Sequence, residues 1–345
     1  MRRPGASRTP AVVLVAALSV GGLAGVVPGA GAHSPGESPS SRSARAPEVR
    51  AQRDPGWGLD RIDQRQLPLD HRYRTRTRGR GVTVYVIDCG AQVGNRQFGG
   101  RAVRGPNIAG GRWMDCLDEL AVGHATFVSG IIGGATTGVA QRARIVSVRT
   151  LKGGEGEPPP PAATELRRVV RAVDWVISDA SQSDRPAVVN LSLSFDGPRP
   201  RLAAAMARLE DAGIPAVVAA GNDGGNACRH VPANVSTALT VGASNRHDRR
   251  WAGSNVGRCV DVFAPGVGVR SVLRGGGAFT YRGSGATSWA TPYVSGVVAL
   301  YLSQHPRAQP ARVRRWVVAE ATRGVLSGLP SSTASRLLFS FAPLR

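Results

Sequence analysis

Lysine is all but missing: Lys152 is the only one in 345 residues, and arginine supplies the rest of the 44 basic side chains. Acidic residues are scarce too, at 23, so the formal charge is +21. Such a balance suits an anionic surface or an acidic protein as partner, or simply an arginine-rich solvated exterior. The motifs that would make it a nucleic-acid module are absent. There is no helix-turn-helix, zinc-finger, RRM or KH pattern, so no specific nucleic acid is expected. No His/Cys cluster has zinc spacing, and no internal repeat is present. Four cysteines are too few for a small disulfide scaffold, but enough for two bridges in an exported chain. Beyond about Val27 no apolar run is long enough to cross a membrane. Hydrophobic residues at 42% exclude wholesale disorder, and the length accommodates one large α/β domain or two smaller ones.

The first residues speak for export. Arg2 and Arg3 precede an apolar stretch from Ala11 to about Val27, followed by Pro28 and Ala30-Gly31-Ala32. A charged start, an apolar centre and small residues before a cut predict a signal peptide over 1–32. An uncleaved anchor is the alternative. No hydrophobic pair follows Arg2-Arg3, which favours the general secretory route over the twin-arginine one. The expectation is a secreted monomer, with no membrane contact after cleavage and still strongly basic. Residues 33–55, rich in Ser, Pro and Arg, read as a flexible leader or short pro-segment. Residues 56–345 read as the folded domain.

Within that domain the β-branched runs Val82–Ile87, Ile145–Val148, Val188–Leu193, Ala216–Ala219, Leu239–Val241 and Val260–Phe263 are near-continuously apolar. Strands buried on both faces of a parallel sheet look like this. Helical stretches lie at Leu166–Ser178, Arg201–Ala212, Ser288–Ser303 and Pro310–Thr322, with Pro292 placed in a first turn. The βαβ alternation predicts an α/β fold, a doubly wound, mainly parallel sheet with helices on both faces. Glu155–Pro161 reads as a proline-stiffened loop.

Three residues stand where chemistry is done. Asp88 ends the strand Val-Thr-Val-Tyr-Val-Ile-Asp, so its carboxylate lies at a ligand-facing strand end. His124 opens a small-residue helix in Gly-His-Ala-Thr-Phe-Val-Ser-Gly. Ser288 lies where a glycine loop enters a helix, in Gly-Ser-Gly-Ala-Thr-Ser-Trp-Ala-Thr-Pro. Singly, each has an ordinary structural reading as a cap or turn residue. Together they supply what acyl transfer needs. Serine is unreactive at its own pKa, so a histidine must take its proton and later protonate the leaving group, while a carboxylate fixes the tautomer. Asn222, after Ala219-Ala220-Gly221, can aim its amide at an oxyanion beside the Ser288 N–H, a donor worth about 3–4 kcal/mol of barrier.

With these motifs the sequence resembles the subtilisin-like serine proteases, in particular the proteinase K and aqualysin-like branch. The resemblance runs from Trp57 to the end. It includes Val189-Asn-Leu-Ser-Leu, Ala220-Gly221-Asn222, Val260-Asp-Val-Phe-Ala-Pro-Gly and Thr287-Ser288-Trp-Ala-Thr-Pro. It implies an endopeptidase acting on protein or peptide substrates without a catalytic cofactor. Asp88, His124 and Ser288 would be its triad and Asn222 its oxyanion donor. It also implies that Ser192-Leu193-Ser194 pairs with substrate backbone as an added strand, and that Ala219, Ala220 and Gly221 floor the first specificity pocket. Cys228 and Cys259 match a family bridge. Cys116 matches half of another, which leaves Cys89–Cys116 as the remaining pair, or else two thiols near the site. Asp261 matches a structural calcium ligand, with the carbonyls of Ser236 and Ala238 as companions; the alternative is an ordinary surface carboxylate.

The pattern also departs from the family. Ala125 and Phe127 replace a Gly and a His after His124, Ala286 and Trp289 replace a Gly and a Met around Ser288, and Ser194 replaces a Gly. Glu155–Pro161 stands where a short glycine-rich substrate edge is usual, and no long inhibitor-like prodomain precedes Trp57. Two readings follow: a secreted serine endopeptidase, or an impaired subtilase fold retained for binding. An α/β-hydrolase is excluded, because no Gly-x-Ser-x-Gly elbow exists and the triad order is wrong.

Overall fold

Successive residues of the Thr83–Asp88 strand face two different apolar layers. Val84 and Val86 belong to one core cluster, Tyr85 and Ile87 to the other. That is why the strand is buried at every position and reads as an unbroken apolar run. The computed structural model describes residues 49–116, 122–152, 161–283 and 286–341, all within one contact unit, Ala46–Arg345. The signal-peptide segment, most of the 33–55 leader and residues 155–160 of the proline loop lie outside the described residues.

Among the described residues the central sheet has nine strands. From one edge they are Thr322–Arg323, Arg336–Leu337, Val262–Pro265, Leu239–Ser244, Ala216–Ala219, Ala187–Leu191, Thr83–Asp88, Arg144–Arg149 and Ala102–Asn107. Every neighbouring pair is parallel except the first, which is antiparallel. The chain leaves Thr83–Asp88 to build one side of the sheet, then returns at Ala187–Leu191 to build the other. Asp88 therefore ends a strand at the point where strand order reverses, the usual place for a ligand crevice in such sheets.

The helices Ala162–Ser181 and Pro200–Asp211 cover one face, inserting Val169, Val173, Val176, Leu202, Met206 and Leu209. The helices His124–Gly133 and Ala286–Leu302 cover the other. Ala286–Leu302 is buried nearly all round, as a helix with no polar face must be. Two disulfides are present: Cys89–Cys116 and Cys228–Cys259, spanning 27 and 31 residues. Among the described residues no helix is long and apolar enough to cross a membrane. Denatured but unreduced protein should give no reaction with a thiol reagent; two reactive thiols per chain would mean that Cys89 and Cys116 are not joined.

Candidate active site

A charge at the end of a buried strand needs partners, and Asp88 has them. Its side chain is fully buried, Oδ1 accepts the Cys89 N–H at 2.6 Å, and both oxygens lie 2.9–3.0 Å from His124 Nδ1. His124 is the first residue of His124–Gly133, whose N-cap, Gly123, has no side chain to cap with. Asp115 does this from outside the helix. It accepts the Ala125 and Thr126 N–H groups at 2.8 and 2.9 Å and the Thr126 hydroxyl. A Cβ on residue 123 would come within 2.2 Å of Asp115 Oδ2, so only glycine fits. Burial pushes the Asp115 carboxyl up to about 6, against the pull of Thr126 and with help from the Asp88 charge. Cys116 accepts the His124 N–H at 2.9 Å and is bonded to Cys89. The residues following Asp88 and Asp115 are thus covalently joined, which ties the carboxylate and the imidazole to one frame. Sequence reasoning missed Asp115, although a helix start without a capping residue invites a search for a carboxylate ahead of it.

Ser288 lies in the first turn of Ala286–Leu302. Pro292 is not in that turn, as its sequence context suggests, but inside the helix, because the helix begins two residues before Ser288. Its consequence is specific. A proline has no N–H to give to the carbonyl four residues back, which here is that of Ser288. Ser192 fills the gap, its Oγ donating to Ser288 O at 3.0 Å, while Ser288 Oγ donates to Ser192 O at 3.1 Å. Ser192 Oγ in turn accepts from Asn190 Nδ2 at 3.0 Å, and Asn190 Oδ1 accepts from Ser295 Oγ at 2.8 Å. A buried polar chain thereby sets the serine-bearing helix against the end of Ala187–Leu191. Residues 192–194 follow that strand directly and have no sheet partner among the described residues.

Asn222 is oriented by Thr287. Its Oδ1 accepts the Thr287 N–H at 3.1 Å and the hydroxyl at 2.5 Å, which leaves the amide N–H groups to face the cleft it shares with Ser288. Asn255, fully buried, pins the segment below. It donates to Ala220 O at 3.0 Å and accepts from the N–H groups of Asp223 and Gly225 at 3.3 and 2.9 Å. Gly221 has φ 102°, and a Cβ there would meet Asn255 Nδ2 at 2.4 Å, so glycine is required twice over. Asn255 did not stand out in the sequence, and Thr287 did so only as part of the Ser288 motif, since the partners of both lie far along the chain.

The cleft encloses about 480 Å³, and Leu193, Ser194, Ala219, Gly221, Asn222 and Ser288 are among its walls. Ala220 turns away from it into a small cluster with Val260 and Phe263. Trp289 does not intrude either. Its ring is buried against His124, with centroids 4.9 Å apart, and against Phe127 at 4.5 Å and Tyr281 at 5.5 Å. Two departures from the family pattern, Phe127 and Trp289, are therefore one packed aromatic pair behind the imidazole. Ala125 has ordinary helical surroundings next to Cys89 and Ala91. Ala286 does not: its φ is 30°, in the region that favours glycine.

One carboxylate oxygen of Asp261 accepts the Thr240 N–H at 2.9 Å and the other faces Arg314 at 4.0 Å, while burial raises the carboxyl pKa. The Asp261 carboxylate is thus held by a backbone N–H and lies near a guanidinium on its other side.

The profile of the subtilase family, peptidase S8, matches residues 79–335. Alkaline serine exoprotease A of Vibrio alginolyticus is 40% identical over 285 residues, covering 82% of this chain and 50% of that protein. Extracellular serine proteinase of a Thermus species (strain Rt41A) is 40% identical over 299 residues, covering 85% of this chain and 68% of that one. The chain thus spans about half the length of the first relative and two thirds of the second. A crystal structure of a cold adapted subtilisin-like serine proteinase superposes with a TM-score of 0.74 at 38% identity, over 83% of this chain and 98% of that chain.

The strain at Ala286 has a direct test. Relief of an alanine at positive φ is worth about 1–2 kcal/mol, against about 0.5–1 kcal/mol for the added freedom of glycine when unfolded. Ala286→Gly should therefore hold or raise the melting temperature. A loss of about 1 kcal/mol, as for an ordinary buried helical alanine, would contradict the strain.

Proposed function

This chain belongs to the subtilase family, and from that membership together with the Asp88–His124 pair beside Ser288 we propose that it is a secreted serine endopeptidase. His124 removes the Ser288 proton as Oγ attacks a peptide carbonyl, then returns it to the leaving amine. Asp88 holds the imidazole in the tautomer with Nδ1–H and balances the charge it gains. For this the Ser288 hydroxyl gives up its hydrogen bond to Ser192 O and takes one to the imidazole. The oxyanion is received by the Asn222 amide and the Ser288 N–H at the start of the helix. Water then resolves the acyl-enzyme by the same proton transfers in reverse. Substrate backbone is read by residues 192–194, which follow a strand and have no sheet partner among the described residues.

The observation that carries this reading is the bidentate approach of a fully buried Asp88 to Nδ1 of His124, whose ring stays partly exposed and packs on Trp289, the residue after Ser288. Secretion is supported by the apolar, Arg-led start of the sequence. A single domain over 56–345 is supported by the one contact unit that holds it.

Incubation of the purified protein with a fluorophosphonate probe should label it covalently, and Ser288→Ala should abolish the label. Asn222→Ala should lower kcat on a peptide substrate by about 10²–10³ while KM changes little. No labelling of the wild-type chain would sink the endopeptidase and favour an inactive fold kept for binding.

A further inference from the structure

The cleft beside Ser288 carries the opposite sign to the chain as a whole. In a sequence with 44 basic and 23 acidic side chains, its described lining holds Asp196 and Asp223 and neither arginine nor lysine. Asp223 follows Asn222 directly. Asp196 belongs to the short antiparallel pair Phe195–Asp196 and His230–Val231, where it stands opposite His230. His230 Nε2 lies 3.3 Å from Asp223 Oδ1. The Asp223 carboxylate therefore meets this imidazole directly and Asp196 stands across the strand pair from it, with no arginine or lysine in the described lining of the pocket.

A third group points the same way. Ser194 Oγ is buried and has no hydrogen-bond partner among the described residues. It lies 3.3 Å from the position a Cβ on Gly221 would take, and so closes on the Gly221 wall of the cleft. A buried hydroxyl without a partner is costly unless an occupant supplies one.

We infer that this pocket selects peptides with arginine or lysine immediately before the bond that is cut. This rests on the endopeptidase reading. The aliphatic stem of either residue packs on Leu193 and Ala219, and its N–H groups reach Asp196, Asp223 and the Ser194 hydroxyl. An apolar ring of similar volume would cover two carboxylates and a hydroxyl without answering any of them. Ser194 has a defined task in this arrangement where glycine would have none.

The test is a set of chromogenic tetrapeptides identical except for Arg, Lys, Phe, Leu or Glu at the residue before the cut. Enzyme concentration is fixed by fluorophosphonate titration of Ser288. The expected result is kcat/KM for Arg and Lys roughly tenfold above Phe and Leu, with Glu lowest. In Asp196→Asn, Asp223→Asn and the double variant the Arg-to-Phe ratio should fall stepwise, and the Glu substrate should recover. Phe or Leu preferred by the wild-type enzyme, or a ratio unmoved in the double variant, overturns the inference and leaves the endopeptidase intact. Covalent labelling with no cleavage of any of the five overturns it as well. Absence of labelling overturns the endopeptidase itself.

Discussion

The contact between Asp88 and His124 is what the rest of the site depends on. A carboxylate with no exposure must be fully partnered to stay charged, and Asp88 is, by the Cys89 N–H and by His124 Nδ1. The sheet brings the carboxylate to its place at the reversal of strand order. The imidazole is brought by a helix whose first turn is held by Asp115, and the Cys89–Cys116 bond joins the two supports. Asp115, a carboxylate about as buried as Asp88 itself, accepts three donors at the helix start. This favours its anion, while burial and the neighbouring Asp88 charge oppose it. The site therefore packs two acidic groups close together and spends a disulfide and a helix terminus on keeping them in place.

Several features that look like defects in isolation are answered by a neighbour. Pro292 deprives the Ser288 carbonyl of its helical partner, and the Ser192 hydroxyl replaces it. Trp289 is large for its place beside Ser288, and Phe127 and Tyr281 make the room that buries it. Gly221 leaves the space that Asn255 uses to pin the segment carrying Asn222. Ala286 is the exception: its positive φ has no compensation among the described residues.

Much of this was legible in the sequence. The parallel sheet shows in the unbroken apolar runs, because each strand feeds two cores. Asp88, His124 and Ser288 show because each ends or begins an element in a small-residue context. What was not legible depends on distant contacts. The Ala102–Asn107 edge strand contains Gly105 and Pro106 and has little β signal, so it is recognisable only from its pairing with Arg144–Arg149. The Ala286–Leu302 helix starts ahead of the expected boundary, which moved Pro292 from a tolerated position to an interior one. Asp115 and Asn255 act through backbone groups of other segments, and no local pattern marks them.

The account's central claim is that the buried Asp88–His124 pair activates Ser288. The rate constant for acylation of Ser288 by a fluorophosphonate, compared between the wild-type chain and Asp88→Asn, tests it most directly. An amide in place of the carboxylate keeps the shape but favours the wrong imidazole tautomer, so the rate should fall by about 10⁴. A rate within about tenfold of wild type, in a variant that retains its melting temperature, would contradict the claim.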